Sequence, residues 1–188
     1  MTEDTFARLL PEYLQKASRL YFTPIHIAKT AAQWLTENGE KKILDIGAGV
    51  GKFCIVGAKN SASHFYGVEY RPSLAQLANE LITHFKIENA TVSHTDVLEV
   101  DFSDFDAFYL YNPFYENLIS SKRLNSEVEL SGSHYRRYLK YTENQLAKTR
   151  PGTPLVTFHG NAFEIPGSFK KIKETTDGAL KLWINDGC

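Results

Sequence analysis

The segment from Asp45 to Gly51, which reads DIGAGVG, constrains the fold of this chain more than any other. It follows a short apolar run that ends at Leu44, and it precedes an apolar segment typical of a helix. Glycine adopts positive φ readily and has no Cβ to keep a ligand away from the backbone. Backbone N–H groups at the start of a helix favour anionic or polar ligand atoms. The sequence therefore predicts a strand–turn–helix unit that binds a nucleotide-like cofactor.

The spacing of the three glycines distinguishes two kinds of cofactor site. A dinucleotide-binding fingerprint has the pattern G-x-G-x-x-G, and its third glycine would fall at position 52, which is Lys52. The third glycine is instead Gly51, two residues after Gly49, and an acid stands two residues before Gly47. This spacing disfavours an NAD-type dinucleotide-binding domain, which stays open as the weaker alternative.

The rest of the chain alternates between strand-like and helix-like segments. Strands are predicted at 42–46, 63–69, 90–95, 105–111 and 154–159, and helices at 51–59, 72–86 and 133–148. Two more strands, at 169–174 and 179–184, flank a Thr-Asp-Gly turn and are typical of an antiparallel hairpin. This order predicts an α/β fold with three layers, in which an open, mostly parallel sheet ends in an antiparallel C-terminal hairpin.

Outside this alternation, two segments are predicted to lie beside the cofactor site. Residues 1–40 predict helices that pack near it: a short helix from Pro11 to Leu20, a break at 21–24, and a helix from Pro24 to about Glu37 that Thr23 caps. Residues 116–132 carry Asn, Ser and Gly with few apolar residues, and they predict a mobile flap over the site. No linker divides the chain, so we expect one domain over residues 1–188.

Polar side chains end four of the predicted parallel strands. They are Asp45, Glu69, Asp96 and Asn112. The carboxyl ends of parallel strands lie at one edge of a sheet, and open α/β sheets bind their ligands at that edge. We therefore expect these four side chains to meet in one crevice.

These parts, in this order, resemble the class I (Rossmann-like) S-adenosylmethionine-dependent methyltransferase family. The glycine segment is similar to its first motif, [DE]-x-G-x-G-x-G. The resemblance implies S-adenosyl-L-methionine as cofactor and S-adenosyl-L-homocysteine as product. It implies that Glu69 binds the ribose hydroxyls and that Asp96 binds the adenine amino group. The cofactor-binding residues it implies are Phe22, Thr23, Asp45, Gly47, Ala48, Gly49, Gly51, Glu69, Tyr70, Asp96, Val97 and Asn112.

The segment Asn112-Pro113-Phe114-Tyr115 is similar to the Asn-Pro-Pro-[Tyr/Phe] signature of methyltransferases that act on amino nitrogens. Phe114 stands where that signature has its second proline. The resemblance implies that these four residues are catalytic. The Asn112 oxygen and the Pro113 carbonyl would accept hydrogen bonds from the target NH₂ group, whose conjugated lone pair is otherwise a poor nucleophile. An aromatic ring from Phe114 or Tyr115 would cover a planar acceptor.

We therefore expect methyl transfer to an amino nitrogen of a base, a protein side chain or a small planar molecule. A non-catalytic cofactor-binding subunit of a methyltransferase complex remains the alternative from a different class. The methyl acceptor could be a nucleic acid, a protein or a small molecule.

Charge and residue patterns exclude some classes of partner. The formal net charge is −1, which argues against binding nucleic acid through a broad basic field. No apolar run approaches the roughly 20 residues of a membrane span, and the N-terminus lacks the pattern of a signal peptide. The histidines and cysteines do not follow metal-ligand spacing. We expect a cytoplasmic protein with neither a membrane nor a metal as partner.

Overall fold

The computed structural model describes residues 1–112, 114–117, 124–159 and 165–187. The strands are β1 (Lys42–Ile46), β2 (His64–Glu69), β3 (Ala90–His94), β4 (Ala107–Tyr111), β5 (Pro154–Phe158), β6 (Phe169–Glu174) and β7 (Leu180–Asn185). The α-helices are α1 (Glu3–Ala7), α2 (Glu12–Tyr21), α3 (Ile25–Thr36), α4 (Lys52–Ala58), α5 (Pro72–His84) and α6 (Gly132–Leu146). Short 3₁₀ helices occur at Val97–Glu99, Phe102–Asp104 and Tyr115–Asn117. None of the helices in these ranges has the length and apolar character that crossing a membrane requires.

The strands form one seven-stranded sheet in the order β3-β2-β1-β4-β5-β7-β6. Strands β1 to β5 pair in parallel, whereas β7 is antiparallel to both β5 and β6. This arrangement confirms the predicted mostly parallel sheet with an antiparallel C-terminal hairpin. The strand order changes direction between β1 and β4, and open α/β sheets bind ligands beside such a switch point.

Helices cover both faces of the sheet, which gives the three predicted layers. Successive residues of a strand point to opposite faces, so Ile43 and Leu44 of β1 enter different cores. Ile43 belongs to the core under α3, α4 and α5, which includes Leu35 and Phe53. Leu44 belongs to the core under α6, which includes Leu146. Because β1 is buried on both faces, its sequence reads as a continuous apolar run that is interrupted by one acid, Asp45.

The predicted role of Thr23 as a helix cap is wrong. Helix α3 begins at Ile25, and its N-cap residue is Pro24, whose side chain makes no capping hydrogen bond. The Thr23 hydroxyl instead pairs with the Tyr109 hydroxyl on β4 over 2.8 Å. The Ile25 N–H, which a cap would have satisfied, donates to the carboxylate of Glu3 on α1. Helix α1 lies within residues 1–40, for which helices are predicted, but no separate helix is predicted at Glu3–Ala7.

Candidate functional site

A cavity of about 460 Å³, here called the main cavity, lies at the carboxyl ends of β1, β2 and β4. The predicted site residues that line it are Phe22, Thr23, Asp45, Gly47, Ala48, Gly49, Glu69, Asn112 and Tyr115. The other residues that line it are Tyr21, Lys52, Phe53, Arg71, Leu74, Tyr109, Tyr111, Glu116 and Leu124. Its volume falls in the range of roughly 300–1,000 Å³ that is typical of pockets for small molecules and cofactors.

The glycine turn forms one wall of the main cavity, and its backbone requires glycine. Gly47, Gly49 and Gly51 all have positive φ, at 76°, 55° and 69°. A Cβ on Gly51 would lie 3.0 Å from the Ala78 Cβ and 3.1 Å from the Val92 Cγ2. Gly51 therefore does not line the cavity; it allows the turn to pack closely against α5 and β3.

The Glu69 carboxylate is held firmly against this turn. Its Oε2 atom accepts a hydrogen bond from the Gly49 N–H over 2.9 Å, and its Oε1 atom accepts one from the Arg71 N–H over 2.9 Å. Burial raises the pKa of Glu69, while these N–H donors and the nearby Arg71 guanidinium oppose the increase. A carboxylate has about four acceptor sites, so Glu69 can still accept hydrogen bonds from the hydroxyl groups of a ligand.

Asp45 lies deeper in the same wall, next to a buried thiol. The Cys54 Sγ on α4 donates to Asp45 Oδ2 over 3.6 Å. Burial and the neighbouring Glu69 charge raise the pKa of Asp45 to about 7, against the lowering effect of the Cys54 hydrogen bond. Among the described residues, no three His, Cys, Asp or Glu side chains are grouped so that they could hold a metal ion.

Asn112 ends β4 in an unusual backbone conformation. Its φ of +39° is positive, which is uncommon for a residue other than glycine. Residues in such conformations cluster at functional sites. The Asn112 carbonyl accepts a hydrogen bond from the N–H of Tyr115, whose ring lines the main cavity. Pro113, the predicted second acceptor, lies outside the described residues.

Asp96 lies in a smaller neighbouring cavity of about 60 Å³, here called the side cavity. The two cavities share the lining residues Gly47, Arg71 and Glu116. Asp96 Oδ1 accepts from the Leu98 N–H over 3.0 Å, and the Tyr138 hydroxyl donates to its Oδ2 over 3.4 Å. The predicted residues that line the side cavity are Tyr70, Asp96, Val97 and Phe114. Three of the four strand-end side chains therefore line the main cavity, and the fourth lines the adjacent one.

Phe114 and Tyr115 separate because they follow the bend after β4. Phe114 is buried against Tyr138 of α6, with 5.2 Å between ring centroids. Tyr115 remains 43% exposed and lines the main cavity. Of the two predicted aromatic covers, Tyr115 is the one that the structure places beside Asn112.

Arg71 is a site residue that the sequence reasoning missed. Its Nη2 atom donates to Glu116 Oε2 over 2.6 Å, and its Nε atom donates to Asn125 Oδ1 over 3.0 Å. Glu116 Oε2 also accepts from the Leu124 N–H over 3.0 Å. These bonds attach the described parts of the predicted flap to the start of α5, whereas residues 118–123 lie outside the described residues. The available signal was the position of Arg71, two residues after a strand-ending acid.

Lys52 is the second residue that was missed. In the sequence it stands out only as a departure from the dinucleotide fingerprint, yet its side chain is 3% exposed and lines the main cavity. Its ammonium donates to Glu3 Oε2 over 2.5 Å. A lysine directly after a glycine turn was the signal that could have identified it.

Comparison with known proteins places the chain in a family. Residues 37–131 match the family model described as a methyltransferase domain. Over 99 residues the chain is 31% identical to the 23S rRNA (uracil(1939)-C(5))-methyltransferase RlmD of Shewanella sediminis (strain HAW-EB3), covering 47% of this chain and 22% of that relative. The chain thus spans about a fifth of the length of this curated relative.

Solved structures have the same fold. An RNA methyltransferase from Salinibacter ruber, in complex with S-adenosyl-L-homocysteine, superposes with a TM-score of 0.60 at 19% identity, over 87% of this chain and 92% of that one. A mutant of MtNAS in complex with S-adenosylmethionine superposes with a TM-score of 0.61 at 14% identity, over 97% of this chain and 70% of that one. The family model covers just over half of the 188 residues, including the glycine turn, Glu69, Asp96 and Asn112, and the chain therefore belongs to the methyltransferase domain family, with the class I methyltransferase fold.

Proposed function

We propose that this protein binds S-adenosyl-L-methionine in the main cavity and transfers its methyl group to an amino nitrogen. The product of the cofactor is S-adenosyl-L-homocysteine, and the acceptor is a base, a protein side chain or a small planar molecule. The observation that carries this proposal is that Glu69 and Asn112 line one cavity, on strands that flank β1 and its glycine turn. Family membership supports the cofactor assignment.

The side chains of the main cavity fit this cofactor. The buried Glu69 carboxylate has acceptor sites left for two hydroxyl groups of a ribose. The positive-φ glycines expose backbone at the same wall. The rings of Phe22 and Tyr109 line the cavity, and aromatic rings attract a cationic group such as a sulfonium. The cofactor supplies a methyl group that is already activated by its positive sulfur.

The protein contributes mainly binding and orientation to such a transfer. The Asn112 carboxamide oxygen would accept a hydrogen bond from the target amino group and so fix its direction. Tyr111 and Tyr115 line the same cavity and would contact the faces of a planar acceptor. The carbonyl of Pro113 is the second acceptor in this proposal. The names of the RNA-modifying relatives support a nucleic acid as one acceptor class to test.

Calorimetric titration tests the cofactor half of the proposal. The protein is titrated separately with S-adenosyl-L-homocysteine and with NAD. We expect saturable binding of S-adenosyl-L-homocysteine and no heat of binding with NAD. Binding of NAD alone would instead assign the chain to dinucleotide chemistry and reject the proposal.

A radiolabelled methyl donor tests the transfer half. The wild-type chain is incubated with the donor and with RNA, DNA, a protein extract or small aromatic amines. We expect labelled product with one of these acceptor classes, and no label with an Asn112→Ala variant. Cofactor binding without transfer to any acceptor would support the alternative, a cofactor-binding subunit that depends on another chain for catalysis.

A further inference from the structure

Lys52 has a position that neither its local sequence nor the glycine motif explains. It is the first residue of α4, yet its side chain points inward and is 3% exposed. Its ammonium lies 5.3 Å from the ring centroid of Phe6 and 2.5 Å from Glu3 Oε2. Burying an ammonium is costly unless a counter-charge compensates it. Lys52 is nevertheless buried, at the wall of the main cavity.

Water screens the attraction between the Glu3 carboxylate and the ammonium, because Glu3 is only partly removed from solvent. Its side chain is 48% exposed, and its other oxygen accepts from the Ile25 N–H over 2.5 Å. Partial burial raises the pKa of Glu3, but the hydrogen bonds from Ile25 and Lys52 outweigh it and lower the pKa overall. An ammonium has three donors, and the hydrogen bond to Glu3 occupies one of them. Lys52 can therefore bind a second carboxylate while it keeps Glu3.

The charges around the main cavity leave Lys52 as the cation for such a ligand group. Five charged side chains line the cavity: Asp45, Glu69, Glu116, Lys52 and Arg71. Arg71 is bonded to Glu116 over 2.6 Å and lies 3.9 Å from Glu69, so it is engaged by two acids of the cavity. Lys52 pairs with an acid that does not line the cavity. Of the two cations that line the cavity in the described part of the chain, Lys52 is the one that does not pair with an acid of the cavity wall. A ligand carboxylate that enters the cavity would therefore bind Lys52.

We propose that Lys52 binds the α-carboxylate of the methionyl part of the cofactor. This inference rests on the proposed function, because it assigns one contact of the ligand proposed there. In this arrangement Glu3 of α1 compensates the buried ammonium when no ligand carboxylate is present. Glu3 is then a charge partner of Lys52 and is not itself a ligand-binding group.

The test compares two ligands that differ in the carboxylate-bearing part. S-adenosyl-L-homocysteine carries the amino-acid group, and 5′-methylthioadenosine lacks it. We expect wild type to bind S-adenosyl-L-homocysteine more tightly, and Lys52→Met to reduce this preference by about tenfold or more, since charge-assisted bonds are strong when desolvated. Lys52→Arg, which keeps the charge, should retain most of the preference. Calorimetry gives both dissociation constants without any need for turnover.

Glu3→Gln is the matched control, since it breaks the same ion pair but leaves the ammonium in place. It should keep the preference for S-adenosyl-L-homocysteine. If Lys52→Met does not fold, the double variant Glu3→Gln/Lys52→Met removes both charges and leaves no uncompensated buried ion. An unchanged ratio of dissociation constants in Lys52→Met, or in the double variant, would overturn this inference alone. Failure of wild type to bind either ligand would overturn the proposed function and the inference with it.

Discussion

The Cys54 thiol donates a hydrogen bond to Asp45 Oδ2 over 3.6 Å, and both side chains are buried. The contact arises because Asp45 lies on the face of β1 that α4 covers, and Cys54 is on the inner face of that helix. A thiol is a weak hydrogen-bond donor, so it compensates only part of the cost of burying a carboxylate. The charge of Asp45, at the wall of the main cavity, therefore changes with pH near neutrality.

The stability of the fold should consequently fall between about pH 4 and pH 7. Burial raises the pKa of Asp45 from its ordinary value of 3.8 to about 7 in the fold. In this interval the unfolded chain has lost the proton and the folded chain retains it, so raising the pH favours unfolding. The contribution of Asp45 is complete below about pH 4 and is lost progressively up to about pH 7, and it amounts to at most about 4 kcal/mol.

Asp45→Asn is expected to reduce this fall, since an amide does not titrate and its oxygen still accepts from Cys54. The part caused by Glu69, whose pKa burial also raises, should remain. Urea unfolding at several pH values measures the change in the free energy of unfolding. Asp101→Asn is the surface control: the Ser103 N–H lowers the pKa of Asp101, so its contribution changes below about pH 4 and the fall between about pH 4 and pH 7 should be retained. An Asp45→Asn protein with the full wild-type fall would contradict the prediction.

Gly51→Ala should destabilise the protein more than Gly152→Ala. Both glycines have positive φ, at 69° and 88°, so alanine is strained at either position by about 1–2 kcal/mol. Only at Gly51 would the new Cβ also crowd Ala78 and Val92, whereas nothing lies within 4 Å of a Cβ on Gly152. Crowding in a packed core costs a further amount of about 1–3 kcal/mol. Urea unfolding of the two variants compares these costs, and equal losses would mean that the glycine turn is not tightly packed.

The hydrogen bond between Thr23 and Tyr109 should show energetic coupling in a double-mutant cycle. The two hydroxyls lie 2.8 Å apart and both are buried. Thr23→Val and Tyr109→Phe each leave one buried hydroxyl unpaired, at a cost of about 1–3 kcal/mol. The double variant leaves neither unpaired, so its loss should be smaller than the sum by about 1 kcal/mol. Strictly additive losses in thermal or urea unfolding would indicate that water replaces the missing partner.

Asn112→Gly removes the side chain of this residue but permits the same backbone conformation, so it tests the two contributions separately. Glycine accepts the observed φ of +39° without strain, so the variant should be no less stable than wild type. If the carboxamide orients the acceptor, methyl transfer should fall about 100-fold or more in Asn112→Gly and in Asn112→Ala. The affinity for S-adenosyl-L-homocysteine, measured by calorimetry, should remain nearly unchanged. Near wild-type turnover of Asn112→Gly would mean that only the backbone bend matters.

The sheet could be predicted from the sequence because its signals are local. Apolar strand segments alternate with helical segments, and this alternation alone favours parallel pairing with helices on both faces. The prediction that Thr23 caps a helix is wrong for a non-local reason. Glu3 supplies the acceptor for the Ile25 N–H, and the Thr23 hydroxyl forms a hydrogen bond with the Tyr109 hydroxyl. Helix α1 escaped prediction because five residues are too few for a periodic pattern.

The sequence by itself determined the glycine turn and the acids and amide that end the strands, because positive φ demands glycine and strand ends meet at one edge of a parallel sheet. Only the tertiary structure decided that Asp96 lies in the side cavity beside Tyr138, and that Arg71 joins Glu69 to Glu116. It also decided that Lys52 reaches Glu3, 49 positions earlier in the chain. Apart from the contact between Arg71 and Glu69, which are two positions apart, these contacts join residues that are distant in the chain. They form because packing of helices against the sheet brings buried charges to the partners that compensate them.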